Sequence, residues 1–182
     1  MAKPFLIESE PLPGVYVIQY PRFVDDRGLF LKGYNRVQFQ DIGILFEPAE
    51  QFLSCSASGV LRGMHFQTGT SAHEKLVICP IGNVLDVVVD VRPTSKHFNQ
   101  PISVELSGES PRAIFISKGY AHGFLSLTDN AWMQYFTSMV HDPGQDAGVL
   151  WSSIAFNWPI RNPILSARDS IHPPIGFPCK FS

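Results

Sequence analysis

The sequence predicts an all-β fold, a barrel or a sandwich, with only a few short helices. Short segments rich in β-branched and aromatic residues recur along the chain, and glycine or proline separates them. The 182 residues include 15 prolines and 14 glycines but no internal repeat and no low-complexity linker. A hydrophobic content of 45% is sufficient for a sizeable core. We therefore expect one domain spanning residues 1–182.

Eight strands are predicted in order along the chain. The first follows the turn dipeptide Pro13-Gly14, and the second follows Arg27-Gly28. The predicted strands are Val15–Tyr20, Leu29–Tyr34, Gln51–Ser56, Lys75–Cys79, Val84–Val91, Ile102–Leu106, Ala113–Ile116 and Met133–Met139. Helical turns are predicted only at Arg36–Asp41 and Ser152–Phe156.

Two aspartates fall on one face of the predicted strand Val84–Val91. Asp86 and Asp90 are four residues apart, and residues at even spacing share a strand face. They either line a cavity or form hydrogen bonds at the rim of the barrel. The rim arrangement is the favoured interpretation, because buried carboxylates are normally paired.

The segment Gly59–Gln67 carries the first candidate site residues. Arg62 and His65 are three residues apart, so a regular strand would point them to opposite faces. Gly63 lies between them, and a kink at this glycine would let both side chains face one cavity. There the guanidinium could hold an anion while the imidazole moves a proton. The alternative is a half-buried strand with a structural histidine.

The composition restricts the possible partners and the compartment. The formal net charge is −2 without a run of like charge, which favours neither nucleic acid nor an anionic membrane surface. Cys55, Cys79 and Cys179 lack C-x-x-C spacing and are expected to be reduced thiols. The sequence has neither the apolar core of a signal peptide nor an apolar stretch of membrane-spanning length. We therefore expect a cytoplasmic protein that binds neither nucleic acid nor membranes.

Several common catalytic patterns are missing from the sequence. A metal-binding double-stranded β-helix would supply an H-x-H pair, a nearby Glu and a later His, whereas His65 is followed by Phe66 and His122 stands alone. Neither a G-x-S-x-G elbow nor a glycine-rich phosphate loop occurs. We expect no metal and no cofactor, which leaves acid/base catalysis by His, Tyr, Lys and Asp.

Seven motifs follow one another along nearly the whole chain. They are F-V-D-D-R-G-L-F (Phe23–Phe30), G-V-L-R-G-M-H-F-Q (Gly59–Gln67), E-K-L-V (Glu74–Val77), G-N-V-L-D-V-V-V-D-V-R (Gly82–Arg92), G-Y-A-H-G-F (Gly119–Phe124), N-W-P (Asn157–Pro159) and I-L-S-A-R-D (Ile164–Asp169). This order resembles the dTDP-4-dehydrorhamnose 3,5-epimerase family. Each motif alone is a weak signal, and their joint order is a strong one. The resemblance implies a single cupin-like domain, a double-stranded β-helix or jelly-roll barrel, without metal or redox cofactor.

The resemblance also implies a function. The family acts on a nucleotide-linked 4-keto-6-deoxyhexose in deoxysugar biosynthesis, for rhamnose-like sugars of O-antigen, lipopolysaccharide or other glycoconjugates. The ketone acidifies the C–H bonds of both neighbouring carbons, so epimerisation at C3 and/or C5 needs a base on one face and an acid on the other. His65 corresponds to the family's base, Asp169 to the carboxylate that orients it, and Tyr135 to the acid. Lys75 corresponds to a cation near the enolate oxygen.

Some of these residues have a structural alternative when they are considered without the motifs. Tyr135 on a strand is more often a core aromatic, Lys75 suits a strand end, and His122 suits a bond to a backbone carbonyl. The joint motif order favours the functional interpretation for all three.

The resemblance extends to residues that bind the substrate. Arg27 and Arg62 match residues that hold the diphosphate and nucleotide, for which the guanidinium fork suits paired phosphate oxygens. His122 corresponds to a position near the sugar. The expected substrate-binding set is Arg27, Phe30, Lys32, Glu50, Arg62, Gln67, His122, His141, Asp146 and Arg168.

The chain departs from the family pattern mainly where the nucleotide is read. Lys32 stands in place of a glutamate and Glu50 in place of a thymine-reading glutamine, while His141, Asp146 and Arg168 replace a tyrosine, a glutamate and a lysine. The first two changes reverse the donor and acceptor requirements of the base. A carboxylate at Glu50 suits the amino groups of guanine or cytosine. We therefore expect a CDP- or GDP-linked sugar to bind at least as tightly as a dTDP-linked one.

Two alternatives to the 3,5-epimerase remain at this stage. One is a mono-epimerase, acting at C5 or C3 only, on a CDP- or GDP-linked sugar. The other is a non-catalytic cupin that binds a nucleotide sugar. The family exchanges N-terminal strands between subunits, so the resemblance also implies a homodimer.

Overall fold

A computed structural model describes residues 4–177 of the chain. Within these residues nearly all regular structure is strand, as the sequence predicts. The strands are β1 (Leu6–Leu12), β2 (Val15–Gln19), β3 (Arg22–Asp25), β4 (Gly28–Leu31), β5 (Glu50–Ser56), β6 (Leu61–Gln67), β7 (Lys75–Ile81), β8 (Asn83–Asp90), β9 (Pro101–Ser107), β10 (Arg112–Ile116), β11 (Tyr120–Ser126), β12 (Ala131–Thr137) and β13 (Asp146–Gly148). The helical elements are α1 (Arg36–Asp41) and two 3₁₀ turns, Gly69–Ser71 and Trp151–Ser153.

Two antiparallel sheets enclose the main core. One sheet has six strands in the order β1-β2-β10-β7-β12-β5, and the other has five in the order β13-β6-β11-β8-β9. Alternate side chains of β7 and β12 meet those of β8 and β11 between the sheets, as in a closed jelly-roll barrel. The residues of this core include Val77, Val88, Phe124 and Met133, and each is at most 1% exposed.

Two further apolar clusters cover the outer faces of the sheets. Phe39 of α1 packs with Phe46, Ile78 and Phe115 against the six-stranded sheet. On the other side, the chain after β13 covers the five-stranded sheet, where Ile154 joins a second cluster of buried residues. Both sheets are therefore buried on two faces over much of their length, which fixes the register of the strands that carry the site.

All eight predicted strands coincide with observed ones, and the differences lie at their ends. The prediction Leu29–Tyr34 is too long, because the chain leaves the hairpin after Leu31 and the Tyr34 hydroxyl donates to the carbonyl of Phe46. The prediction Met133–Met139 is shifted, since β12 ends at Thr137. The helical turn Arg36–Asp41 is confirmed. The turn predicted at Ser152–Phe156 is observed as a shorter 3₁₀ turn that begins one residue earlier, at Trp151–Ser153.

Of the five strands outside these eight, β6 agrees with the strand expected within Gly59–Gln67, whereas β1, β3, β11 and β13 were not predicted. The most consequential is β11, which carries His122. All seven of its residues are buried, so it lacks the alternation that marks a half-exposed strand. Gly123 at its centre also weakens the strand signal, yet a Cβ there would lie 2.7 Å from the Arg62 carbonyl oxygen.

The two aspartates of β8 have different roles. Asp86 lies inside the barrel and pairs with His122, whose Nε2 is 2.8 Å from Asp86 Oδ2. Asp90 lies at the strand end and pairs with the Arg92 guanidinium at 2.5 Å. The expected rim arrangement is correct for Asp90 and wrong for Asp86, because β11 presents a histidine to the interior beside it.

The structure also bears on the cysteines and on membrane insertion. Cys55 and Cys79 are free thiols, and Cys179 lies outside the described residues. Across residues 4–177, no helix has both the length and the apolar character needed to cross a bilayer.

Candidate active site

A cavity of about 450 Å³ opens between the two sheets. The six-stranded sheet supplies one wall through β5, β7 and β12, and the five-stranded sheet supplies the other through β6, β11 and β13. Ten of the sequence-predicted site residues line it. They are Glu50, Arg62, His65, Gln67, Lys75, His122, Tyr135, His141, Asp146 and Arg168.

A β-bulge brings Arg62 and His65 to the same side of β6. In the pairing of β6 with β11, His65 faces His122 and Arg62 faces Phe124, so two residues of β6 lie opposite the single residue Gly123. Gly63 has a φ of 140°, which an L side chain rarely adopts. The bulge shifts the alternation by one residue, and both side chains face the cavity, as the glycine between them predicts.

His65 is held by a carboxylate that lies far away in the sequence. Its Nε2 is 2.6 Å from Asp169 Oδ1, and the Gly63 N–H points to Asp169 Oδ2 at 3.4 Å. The segment that carries Asp169 is tied to the start of β6, because Leu61 N–H donates to the Ile164 carbonyl at 3.0 Å. The sequence-predicted contact between His65 and Asp169 is therefore present in the structure.

The electrostatics of this pair favour a neutral imidazole beside an ionised carboxylate. Burial lowers the pKa of His65 below its ordinary value of 6.5 and outweighs the opposing effect of Asp169. Burial opposes ionisation of Asp169, but the His65 hydrogen bond and charge bring the net pKa of Asp169 below its ordinary value. With Nε2–H donated to the carboxylate, Nδ1 of His65 keeps the lone pair that a base needs.

Tyr135 lies on the opposite sheet from His65. It projects from β12 into the cavity, stacks on Phe52 of the neighbouring strand with ring centroids 4.7 Å apart, and lies 6.2 Å from the His122 ring centroid. Burial raises the pKa of its phenol above the ordinary value of 10. The hydroxyl is therefore protonated at neutral pH and can act as a proton donor.

Lys75 supplies a buried cation next to His65. Its Nζ donates to the His65 carbonyl at 3.2 Å. Burial lowers its pKa to about 8, while the charge of Asp146 opposes that shift. Lys75 is thus a largely protonated ammonium at neutral pH, placed where the two sheets meet around the cavity.

Polar contacts hold several other cavity side chains in place. Arg62 donates from Nε to Ser56 Oγ at 3.0 Å and from Nη2 to the Cys55 carbonyl at 3.2 Å. Arg168 pairs with Asp146 at 2.7 Å. These bonds orient two guanidinium groups at one cavity, an arrangement suited to a phosphate-bearing ligand.

Hydrogen bonds link three other residues of the cavity wall, Gln67, His141 and Glu50. Gln67 Nε2 lies 2.8 Å from His141 Nδ1, and the His141 backbone N–H donates to Glu50 Oε2 at 2.9 Å. One oxygen of the Glu50 carboxylate is therefore already engaged by the protein.

Three of the predicted substrate-binding residues lie outside this cavity. Arg27 and Phe30 belong to the β3–β4 hairpin, and Lys32 follows it directly. Arg27 is 90% exposed and pairs with Asp25 of the same hairpin. Within one chain, the structure does not bring them to the cavity.

Sequence reasoning missed several residues of the cavity wall. They are Phe52, Ser54, Phe66, His73, Phe124 and Thr137. Strand periodicity could have identified three of them, because Phe52 and Ser54 share a face with Glu50, and Thr137 shares a face with Tyr135. His73 follows a 3₁₀ turn rather than a strand, and burial lowers its pKa to about 4.

Comparison with known proteins gives the chain a family. The family model for dTDP-4-dehydrorhamnose 3,5-epimerase matches residues 9–176. The chain belongs to this family. The prediction from the seven motifs is confirmed, and with it the prediction of an isomerase with a cupin-like double-stranded β-helix.

Individual relatives agree with this assignment. A dTDP-4-dehydrorhamnose 3,5-epimerase of Shigella flexneri is 40% identical over 90% of this chain and 92% of its own length. A dTDP-4-dehydrorhamnose 3-epimerase of Streptomyces niveus is 37% identical, with coverage of 87% and 78%. The crystal structure of the 3,5-epimerase from Bacillus anthracis with TDP and PPi bound has a TM-score of 0.89 at 32% identity, with coverage of 93% and 99%. These comparisons support the main prediction of an epimerase in deoxysugar biosynthesis and not its alternatives.

Proposed function

We propose that the chain epimerises a dTDP-linked 4-keto-6-deoxyhexose at C3 and C5 by proton abstraction and reprotonation, without a metal or redox cofactor. One observation carries the proposal. His65, paired with Asp169, and Tyr135 project into one cavity from opposing sheets. Inversion of a carbon centre needs a base on one face of the sugar and an acid on the other, and this arrangement supplies both.

In the first half of the reaction, Nδ1 of His65 takes the proton from the carbon next to the ketone. The electrons of that C–H bond move into the new C=C bond, and the ketone π electrons move onto O4, which gives an enolate. Asp169 keeps the imidazole in the required tautomer and stabilises the imidazolium. The ammonium of Lys75, held 3.2 Å from the His65 carbonyl, stabilises the negative charge on the enolate oxygen.

In the second half, the Tyr135 hydroxyl gives its proton to the same carbon from the opposite face. The enolate collapses to the ketone. The imidazolium then releases its proton to solvent, and the phenolate takes a proton from solvent. His122, buried and paired with Asp86, lies beside Tyr135 and is proposed to contact the sugar. The same base and acid serve C3 and C5, because both carbons flank the ketone.

The remaining cavity residues are proposed to hold the nucleotide and diphosphate. Arg62 and Arg168 supply the cationic groups, while Gln67, His141 and Asp146 complete the polar wall. We propose dTDP as the carrier because the curated relatives are named for dTDP substrates and a neighbouring structure contains TDP. The state of Glu50 supports this choice. Its Oε2 already accepts the His141 backbone N–H, so it is less available to the amino group of cytosine or guanine.

We propose that the protein is a homodimer in which the β3–β4 hairpin serves the partner's cavity. The hairpin leaves Val24, Leu29 and Phe30 exposed at 64%, 46% and 59%, which is unusual for a monomer. Docking against a second copy would bury this apolar surface. It would also bring Arg27, Phe30 and Lys32 to a nucleotide.

Residues 1–182 are proposed to act as one epimerase domain in the cytoplasm. The chemistry of the product sets the next step in a reaction sequence. A 4-keto sugar must be consumed by a reaction at the ketone, and reduction is the simplest that yields a stable deoxysugar.

The proposal is tested by incubating the protein with dTDP-4-keto-6-deoxyglucose in deuterated water and following C3 and C5 by NMR. We expect deuterium at both carbons and the epimerised product. His65→Asn should lose exchange at both carbons by a factor of about 10²–10⁴, the usual contribution of a general base. Exchange at C3 alone would indicate a 3-epimerase, and near wild-type exchange in His65→Asn would remove His65 from the role of base.

A further inference from the structure

Beside the His65–Asp169 pair lies a second histidine that the epimerase mechanism does not use. His172 Nε2 is 3.6 Å from Asp169 Oδ1, the oxygen that contacts His65. This distance is too long for a hydrogen bond. Among residues 4–177, the buried Nε2 of His172 has no hydrogen-bond partner. A buried polar atom without a partner is costly and calls for an explanation.

The backbone is built to hold the His172 ring at this position. Gly148 of β13 pairs with His65 of β6, and a Cβ on Gly148 would lie 2.5 Å from Nε2 and Cε1 of His172. The imidazole therefore occupies the space above a glycine and is packed edge-on to the His65 ring, with centroids 5.5 Å apart. Its side chain is only 11% exposed.

Three potential ligand atoms consequently lie close together. One nitrogen of His65, one oxygen of Asp169 and one nitrogen of His172 all lie within 4.8 Å of one another. Two imidazoles and a carboxylate are a donor set that binds Zn²⁺ and similar divalent transition-metal ions, with a fourth position left for water. The charge around these three atoms also suits a cation, because the positive guanidinium of the nearby Arg168 is paired with the Asp146 carboxylate at 2.7 Å.

We infer that His65, Asp169 and His172 form a binding site for a divalent transition-metal ion, Zn²⁺ in the first instance, and that its occupancy blocks epimerisation. A metal ion binds the lone pair of a neutral imidazole nitrogen. The His65 nitrogen that faces Asp169 is Nε2. An ion at Nε2 leaves the ring proton on Nδ1, which is the nitrogen that must be unprotonated to act as the base. The ion is thus an inhibitor and not a catalytic cofactor.

Metal binding does not depend on the proposed function, whereas the inhibition rests on it. Binding is therefore measured directly, by calorimetric titration of the untagged full chain with ZnCl₂ and by the visible absorption of bound Co²⁺. We expect one ion per chain in the wild type. His172→Ala and His172→Gln should each weaken Zn²⁺ binding by at least about tenfold. The glutamine variant keeps most of the volume of the ring, so loss of binding there does not reflect misfolding.

The matched control is His97→Ala, which removes a histidine whose Nδ1, within residues 4–177, contacts only the Gln100 side chain, at 2.9 Å. Its Zn²⁺ affinity should equal that of the wild type. Deuterium exchange into the keto sugar should be inhibited by Zn²⁺ in the wild type and restored by a chelator, with at least about tenfold less sensitivity in His172→Gln. Equal Zn²⁺ affinity in the wild type and both His172 variants would overturn the site. Site-specific binding without loss of exchange would overturn the inhibition alone.

Discussion

The Nζ of Lys75 lies 3.2 Å from the backbone carbonyl of His65, so a cation of the six-stranded sheet is bonded directly to the strand that carries the imidazole. The two groups have opposite protonation requirements in the proposed reaction. His65 must be neutral to accept a proton, and Lys75 must be charged to stabilise the enolate oxygen. Their joint state therefore sets the pH range of activity.

The pH profile should be bell-shaped, with an alkaline limb near pH 8. Burial lowers the pKa of His65 below 6.5, so activity falls only on the acid side of that value. Burial also lowers the pKa of Lys75 to about 8, so activity falls as the pH rises through that value and the ammonium loses its proton. The measurement is the rate of deuterium exchange between pH 5 and 10.

Two variants of Lys75 test whether its positive charge, and the loss of that charge at alkaline pH, controls the rate. Lys75→Arg keeps the positive charge at all accessible pH, so its alkaline limb should move to higher pH. Lys75→Met should lower kcat by a factor of about 10²–10³, the usual effect of losing one group that stabilises an oxyanion. The exposed Lys118 is the control, and Lys118→Arg should keep the wild-type profile. An unchanged alkaline limb in Lys75→Arg would assign that limb to another group.

Tyr135→Phe should separate proton abstraction from inversion. The variant keeps His65, Asp169 and Lys75, so the enolate still forms and solvent deuterium still exchanges. Without the phenol, the proton returns mainly from the His65 side, and the original configuration is retained. The NMR assay should show deuterated substrate at early times with little epimer.

Tyr120→Phe is the matched control for that measurement, because Tyr120 is a buried tyrosine whose hydroxyl donates to the Pro13 carbonyl at 2.8 Å instead of facing the cavity. Exchange and inversion should both persist in it. If exchange and inversion decline together in Tyr135→Phe, the phenol is not the proton donor of the second half-reaction.

The sequence predicts which side chains line the cavity where a local rule or a motif applies to them. The placement of Arg62 and His65 on one cavity wall follows from a glycine in a strand, and the remaining positions follow from motif order. The motif Gly119–Phe124 marks His122, but the strand β11 that carries it is not readable in this way, because a strand buried on both faces has no alternation. The same holds for His172, whose place beside Asp169 depends on the space left by Gly148 on another strand.

Sequence also cannot place the β3–β4 hairpin relative to the cavity. Arg27 belongs to the motif Phe23–Phe30 that matches the family, and Lys32 lies two residues beyond it, yet in one chain both lie apart from Arg62 and Glu50. A motif records which residues belong to a site but not which copy of the chain supplies them. In the proposed homodimer, the position of the hairpin depends on an interface that no local pattern describes.

Gly63→Ala should disrupt the site through the backbone. A Cβ at Gly63 would lie 2.6 Å from the Gly123 Cα, and φ is 140°. We expect a loss of about 1–3 kcal/mol in the free energy of unfolding and a parallel loss of exchange activity, because the bulge can no longer present Arg62 and His65 together. Gly43→Ala is the control for strain alone, since φ is 84° and no described atom lies within 4 Å of the added Cβ. Denaturant titration should show that Gly43→Ala is less stable, and the exchange assay should show that it keeps its activity. Full activity in Gly63→Ala would contradict the importance of the bulge.

The choice of nucleotide is the last prediction, and here the structure changes the expectation drawn from the sequence. Lys32 and Glu50 alter the family's base-reading positions, which predicted that CDP or GDP would bind at least as tightly as dTDP. The Glu50 Oε2 instead accepts the His141 backbone N–H at 2.9 Å, so this carboxylate has one fewer free acceptor for the amino groups of cytosine or guanine. We therefore expect calorimetric titration to show dTDP binding about 10 to 100 times more tightly than CDP or GDP, since each mispaired polar group costs about 1–3 kcal/mol. Glu50→Gln keeps an oxygen acceptor for the His141 N–H, so it should preserve this order. Equal or tighter binding of CDP or GDP by the wild type, abolished in Glu50→Gln, would show that Glu50 reads the base with its second oxygen.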